Sequence, residues 1–191
     1  MKIALKILAV FAVVIIVTIG CISRGGSPMD NFSEDAYEAA LEQLPGSAES
    51  IDAGLESFVK GYGDLAHDDL RARITALYAE DLYFNDTIHT ITNRENLVDY
   101  LGKTGDALDE SIVEVKQVMR DGNDVFVRWS MDFKLKAVGR EIHSESIGIT
   151  HLRFNEQGQV LLHQDFWDSG HALYAKLPVV GWFIRRAHSQ L

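Results

Sequence analysis

The chain has 191 residues, a formal charge of −10, and 47% apolar and 24% charged residues. That balance suits one folded domain plus an appendage and excludes a largely disordered chain. The acidic excess lacks the basic footprint that nucleic-acid binding requires, so no nucleic-acid partner is expected.

The N-terminus opens with Lys2 and Lys6, followed by an uncharged apolar run from Ile7 to Ile22. This run is short for a membrane span and suits the apolar stretch of a signal peptide or anchor. The only cysteine, Cys21, follows Thr18-Ile19-Gly20 near the end of the run. The spacing resembles a bacterial lipoprotein signal cleaved before a lipidated cysteine, although Thr18 stands where leucine is usual. An uncleaved anchor, or a coincidental cysteine in an apolar helix, is the alternative. Residues 1–21 are assigned as signal peptide or anchor, with Cys21 the lipidation candidate. The protein is expected to be membrane-anchored on the extracytoplasmic side of the cell envelope. With no second cysteine, no intrachain disulfide is possible.

Residues 22–46 read as a polar Gly/Pro-bearing linker carrying a short helix after Ser33, which Pro45-Gly46 stops. A second helix opens near Ser50, with Ile51, Leu55, Phe58, Val59 and Tyr62 at helical spacing. A third, with Asp68 as cap, carries Leu70, Ile74, Leu77 and Tyr78 on one stripe. "DLYFNDTIHTI" has strand chemistry, and "NRENLVDYLGKTG" reads as a capped helix ended by glycine. Long strands then follow, joined by turns at "DGND", Gly139 and "NEQG". Helices followed by such a meander mean an α+β fold with the helices on one sheet face. In "DVFVRWSMDFKLKAVG", Val125, Val127, Trp129, Met131, Phe133 and Leu135 alternate with mostly polar residues, so one face is buried. The next strand puts Ser144, Ser146, Gly148 and Thr150 on one face; alternation alone leaves open whether they border a hollow or face solvent. Residues 171–191 form a C-terminal helical tail.

This order, with the phrases "LYAEDLYFNDTI" and "LRFNEQGQVLLHQDFW", resembles the cone-shaped nuclear transport factor 2-like superfamily over Ile51–Asp168. That superfamily includes ketosteroid isomerase, limonene epoxide hydrolase, SnoaL-type cyclases and non-catalytic members. The resemblance implies an α+β cone over residues 47–170: a strongly curved antiparallel sheet packed on N-terminal helices, enclosing an apolar pocket. The isomerase comparison implies a base at Asp86 and an oxyanion donor at Tyr62; its second, acidic donor is Thr150 here. The hydrolase comparison implies a catalytic acid at Asp165 and water-holding Tyr83 and Asn85. Its Arg-x-Asp becomes Arg128-Trp129-Ser130 here, without the acid. The two comparisons point Trp129 and Arg128 in opposite directions, and the apolar company of Trp129 favours that residue as the inward one.

On the last strand Leu161, His163, Asp165 and Trp167 share a face. A carboxylate among apolar walls has its charged form disfavoured, which suits a general acid or base. Asp165, Asp86, Tyr62 and His163 are thus the candidate catalytic residues. Trp167, Thr150, Trp129, Val127, Tyr83, Asn85 and Arg128 are the candidate pocket lining. Asp132 and Asp168 read as solvated or ion-paired, and His143, His151 and His171 show no compact ligand spacing, so no metal and no cofactor are expected. The tail "WFIRRAH" reads either as an interfacial helix or as a cap on the cone or a dimer contact. The function expected is acid/base chemistry of isomerase, cyclase or hydrolase type on a small hydrophobic molecule. The alternative is a non-catalytic binding or protein-interaction module, with a homodimer as a further expectation.

Overall fold

A computed structural model describes residues 34–137, 140–177 and 180–190. Cys21, Ser33 and the turn at Gly139 lie outside the described residues. Among the described residues no helix is long and apolar enough to cross a membrane.

The elements run α1 (Glu34–Gln43), α2 (Ile51–Tyr62), α3 (Leu70–Leu77), β1 (Tyr78–Asn85), β2 (Thr90–Asn93), α4 (Arg94–Ala107), β3 (Leu108–Asp121), β4 (Asp124–Ala137), β5 (Arg140–Phe154) and β6 (Val160–Trp167). The tail follows as α5 (Ser169–Ala172), a 3-10 turn (Tyr174–Lys176) and α6 (Val180–His188). The six strands form one curved, unclosed sheet in the order β2-β1-β6-β5-β4-β3. Strands β3 to β6 are the expected antiparallel meander, whereas β1 joins β6 in parallel.

The apolar alternation of β4 sets the inner face. Val125 and Val127 are fully buried there, in one core with Phe58 of α2, Ile74 of α3 and Leu97 of α4. Burying such side chains contributes about 1.5–3 kcal/mol each, which fixes the strand register. Glycines at positive φ, Gly122 and Gly158, form two of the meander turns.

Four details differ from the sequence-based expectations. Helix α1 does not join the other helices: Ala40, Tyr37 and Leu41 pack with Tyr83 and Leu162 on the opposite face of the sheet. "DLYFNDTIHTI" is not one strand. It breaks at Asp86, whose Oδ1 accepts the backbone N–H groups of Ile88 (2.9 Å) and His89 (2.8 Å), forming an Asx turn with Thr87 at φ +72°. Tyr78 opens β1 instead of extending the α3 stripe. Finally, α4 runs past Gly102 and Gly105 to Ala107. A Cβ on Gly105 would stand 2.5 Å from the Leu65 carbonyl oxygen, so this glycine permits close packing and does not end the helix.

Candidate functional site

The inner face and α2–α4 enclose a cavity of about 480 Å³ with predominantly apolar walls. Cross-strand register brings its polar groups together. Thr150 pairs with Asp165 and Val127; one rung along, Gly148 lies between Trp129 and Trp167; on the other side Leu152 pairs with His163. The row of small residues on β5 therefore faces inward. A Cβ at Gly148 would come within 2.3 Å of the Trp129 ring. The bare glycine lets the indole lie across β5, where Trp129 Nε1 donates to Thr150 Oγ1 at 2.8 Å.

Trp129 Nε1 can only donate, so the Thr150 hydroxyl accepts from it and donates in turn to Asp165 Oδ1 at 2.5 Å. The same carboxylate oxygen lies 3.0 Å from His163 Nε2. His163 Nδ1 lies 2.7 Å from the Tyr78 hydroxyl, which lies 2.5 Å from the Tyr62 hydroxyl. The His163 ring is buried against Phe84, with centroids 4.7 Å apart, and against Phe58. Burial, followed by repulsion from Asp165 and Asp86, pushes the Tyr62 hydroxyl well above its ordinary range. Burial and the Tyr62 hydroxyl do the same for Tyr78. Both therefore remain protonated at neutral pH.

Asp86 also borders the cavity, but both of its carboxylate oxygens already accept hydrogen bonds. Besides the turn amides on Oδ1, its Oδ2 accepts the Tyr100 hydroxyl at 2.5 Å, and its backbone carbonyl accepts Trp167 Nε1 at 2.8 Å. Burial, then the Asp86 charge, raise Tyr100 far above its ordinary value, so that phenol is a fixed donor. The Asp86 carboxylate is thus held by three donors at the wall, whereas no hydrogen bond to Asp165 Oδ2 occurs among the described residues.

Of the expected residues, Asp165, Asp86, Tyr62, His163, Trp167, Thr150 and Trp129 border the cavity. Four expected lining residues do not. Val127 points inward but is fully buried within the core cluster and does not border the cavity. Tyr83 and Asn85 alternate with Phe84 and face the opposite side of the sheet. There the Tyr83 hydroxyl donates to Gln164 Oε1 at 3.0 Å, and Asn85 Oδ1 accepts from Gln164 Nε2 at 3.2 Å. Arg128 is exposed on that outer side, 3.4 Å from Gln117 Oε1. Trp129 is therefore the inward residue of the pair.

Sequence reasoning missed Tyr78 and Tyr100. Tyr78 was concealed by its helical spacing from Leu70, Ile74 and Leu77. Tyr100, three residues after Leu97 on α4, was legible as part of a buried stripe but was not connected with Asp86. The tail contributes Leu173 to the cavity wall, while Trp182 and Phe183 of α6 are exposed. On the outer face Asp132, His143 and Glu145 bring ligand atoms within 4.8 Å of one another, a proximity across two strands that linear spacing does not reveal. His143 Nε2 lies 2.8 Å from Asp132 Oδ1, so this exposed group already has an internal partner.

Comparison with solved structures gives the same architecture. A protein from Shewanella putrefaciens assigned as a SnoaL-like polyketide cyclase is 20% identical, covering 65% of this chain and 95% of its own, with a TM-score of 0.55. An epoxide hydrolase of limonene-hydrolase type from M. tuberculosis is 13% identical over 73% of this chain and 98% of its own, with a TM-score of 0.54. A protein of ketosteroid isomerase-like fold from Catenulispora acidiphila, solved with trimethylamine, is 16% identical over 67% and 92%, with a TM-score of 0.52. At these identities the likeness establishes the fold alone. No curated protein sequence matches the chain. The model of the SnoaL-like domain matches residues 55–163, more than half the chain and most of the cavity wall, with Asp165, Trp167 and Leu173 following it, and the protein belongs to the SnoaL-like domain family.

Proposed function

We propose that the cavity binds a small, largely apolar molecule and performs acid/base chemistry on it, of isomerase, cyclase or hydrolase type, with Asp165 as the proton-transfer group. The observation that carries this reading is the asymmetry of the Asp165 carboxylate. Its Oδ1 is held by Thr150 and His163, while Oδ2 has no hydrogen-bond partner among the described residues and the side chain borders the cavity. Among the described residues neither Lys nor Arg pairs with Asp165. A structural carboxylate ordinarily acquires such a partner, whereas a proton-transfer group needs a free lone pair directed at the bound molecule. The N-terminal segment would hold this body at the envelope membrane through Cys21 or as an uncleaved anchor.

Native mass spectrometry of the full chain purified from its own host tests for the bound molecule. Turnover of that molecule is then compared between wild type and Asp165→Asn. Loss of turnover with an intact fold supports the reading; an unchanged rate rejects it. Palmitate incorporation that disappears in Cys21→Ser supports the lipid anchor, and its absence in wild type rejects it.

An interaction module is the second reading, favoured by the apolar side chains Ile112 (50% exposed) and Ile147 (76% exposed) on the sheet. Sedimentation that shows a monomer, with Ile147→Lys unchanged in behaviour, would reject self-association through that face.

A further inference from the structure

Tyr62 and Asp165 both border the cavity, yet they are joined through its wall by a continuous hydrogen-bonded line: Tyr62 hydroxyl, Tyr78 hydroxyl, His163 imidazole, Asp165 Oδ1. Each link is 2.5–3.0 Å long, and the groups are supplied by α2, β1 and β6. We propose that these four residues form one proton wire whose two ends, Tyr62 and Asp165 Oδ2, act on the same bound molecule as a single acid/base unit. This rests on the reading of the cavity as an acid/base site.

Donor and acceptor counting gives the wire two polarities. A tyrosine hydroxyl carries one proton, and a neutral imidazole has one donor nitrogen and one acceptor nitrogen. With Asp165 as carboxylate, Oδ1 accepts from His163 Nε2–H, Nδ1 accepts from Tyr78, and the Tyr78 oxygen accepts from Tyr62. The Tyr62 proton then points into the wall. With a proton on Oδ1 every bond reverses, and the Tyr62 O–H points into the cavity. Thr150 donates to Oδ1 in both arrangements, because Trp129 Nε1 fixes the direction of its hydroxyl.

The step balances without net charge. Tyr62 gives its proton to a basic atom of the bound molecule. The Tyr78 proton passes to Tyr62, the His163 Nδ1 proton to Tyr78, and the Asp165 Oδ1 proton to His163 Nε2. The lone pair thus freed on the carboxylate takes a proton from the bound molecule at Oδ2. One hydrogen arrives and one leaves, so the molecule is isomerised. Loss of the Oδ2 proton to water and uptake of one at Tyr62 reset the line. Tyr62 is thereby a catalytic residue, and Tyr78 and His163 are the groups that couple it to Asp165.

The test reads the imidazole itself and needs no substrate. The titratable groups facing the His163 ring are Tyr62 from α2, Tyr78 from β1 and Asp165 from β6. Phe58, Phe84 and Leu152 supply the apolar surroundings, and Asp86 and Tyr100 lie beyond Phe84. The full chain, labelled with 15N-histidine and held in detergent micelles, is followed by long-range proton–nitrogen correlation, with His163 assigned by its loss in His163→Gln.

Across a pH series the His163 proton should exchange between Nε2 and Nδ1 while the ring stays neutral. The exchange should persist in Tyr62→Phe and disappear in Tyr78→Phe. It should also disappear in Asp165→Leu, which keeps the wall apolar should the Tyr78 variant fail to fold. Formation of imidazolium, a single tautomer throughout, or an exchange that survives Asp165→Leu overturns the wire. Any of these outcomes leaves the acid/base role of Asp165 to be decided independently, by the turnover of Asp165→Asn.

Discussion

The two faces of the β5–β6 ladder carry the same three residue types in the same order and use them differently. On the inner face Tyr78, His163 and Asp165 are linked in line; on the outer face Tyr37, His151 and Asp124 are. The histidines sit on neighbouring rungs, His163 opposite Leu152 and His151 opposite Gln164. Outside, the line ends in a cation: Arg153 Nε donates to Asp124 Oδ1 at 2.5 Å, and Arg153 Nη1 donates to the carbonyls of Leu41 (2.6 Å) and Leu44 (3.1 Å). That closure clips α1 to the sheet. Inside, the line ends in Asp165 and Tyr62, two residues that border a cavity. The contrast teaches that a Tyr–His–Asp chain does not announce chemistry by itself. The group that terminates it decides whether it fastens an element or faces a ligand.

The sharpest way to break this contrast is to neutralise each carboxylate. Asp165→Asn should lower turnover of the cavity's bound molecule about 10²–10⁴-fold, the usual contribution of a positioned general acid or base, with an unchanged circular dichroism spectrum. Asp124→Asn should leave that rate unchanged. A comparable rate loss in Asp124→Asn would erase the distinction between the faces.

Next in size is Arg153→Ala, which takes the cation from the Asp124 carboxylate and leaves two carbonyls without this donor. It should cost roughly 2–3 kcal/mol in urea unfolding and raise amide exchange in α1 first. Uniform exchange across the sheet would show that the cation does more than fasten the helix. Gly148→Ala tests the inner floor. Its methyl group would displace the Trp129 indole from Thr150, at a cost of about 1–3 kcal/mol and with a shifted tryptophan emission. An unaltered emission spectrum would count against the indole's role in fixing the Thr150 hydroxyl.

The smallest effect expected is the pH dependence of the outer clip. Burial pushes His151 below its ordinary value, despite the opposing pull of Asp124. Burial raises Asp124, but hydrogen bonds from Arg153 and His151 outweigh it and hold the carboxyl below its usual range. Both groups have folded values below their unfolded ones. The unfolded chain therefore binds more protons as pH falls from about 6.5 toward the carboxylate range, and stability should decline over that window. Thermal melts of wild type and His151→Gln should show a weaker acid dependence in the variant.

Much of the inner face was legible because β4 alternates cleanly: Trp129 inward and Arg128 outward follow from period two. The meander and Asp165 at the wall follow from the same rule, together with the superfamily resemblance. Alternation gives the side of a sheet but not the depth, which is why Val127 proved to be packed within the core and not at the cavity wall. Nor does it say what covers the other side, which is why Tyr83 and Asn85 belong to the α1 face. Tyr78 was misread because a helix and a strand meet at Leu77 with no break in apolar spacing. The outer clip was invisible for a different reason: Tyr37 and His151 are 114 positions apart, and only the placement of α1 brings them together.

The parallel pairing of β1 with β6 carries a consequence for the order of assembly. The β3–β5 hairpins can zip up from their own turns, but Tyr78 cannot meet His163 until a loop of more than 80 residues has closed. A ribosome-bound chain lacking its last strand would hold a partial sheet and no completed Tyr78–His163 link. The hydrogen-bonded line beside the cavity would therefore come into being at the close of folding, as the final strand slides between the first and the fifth.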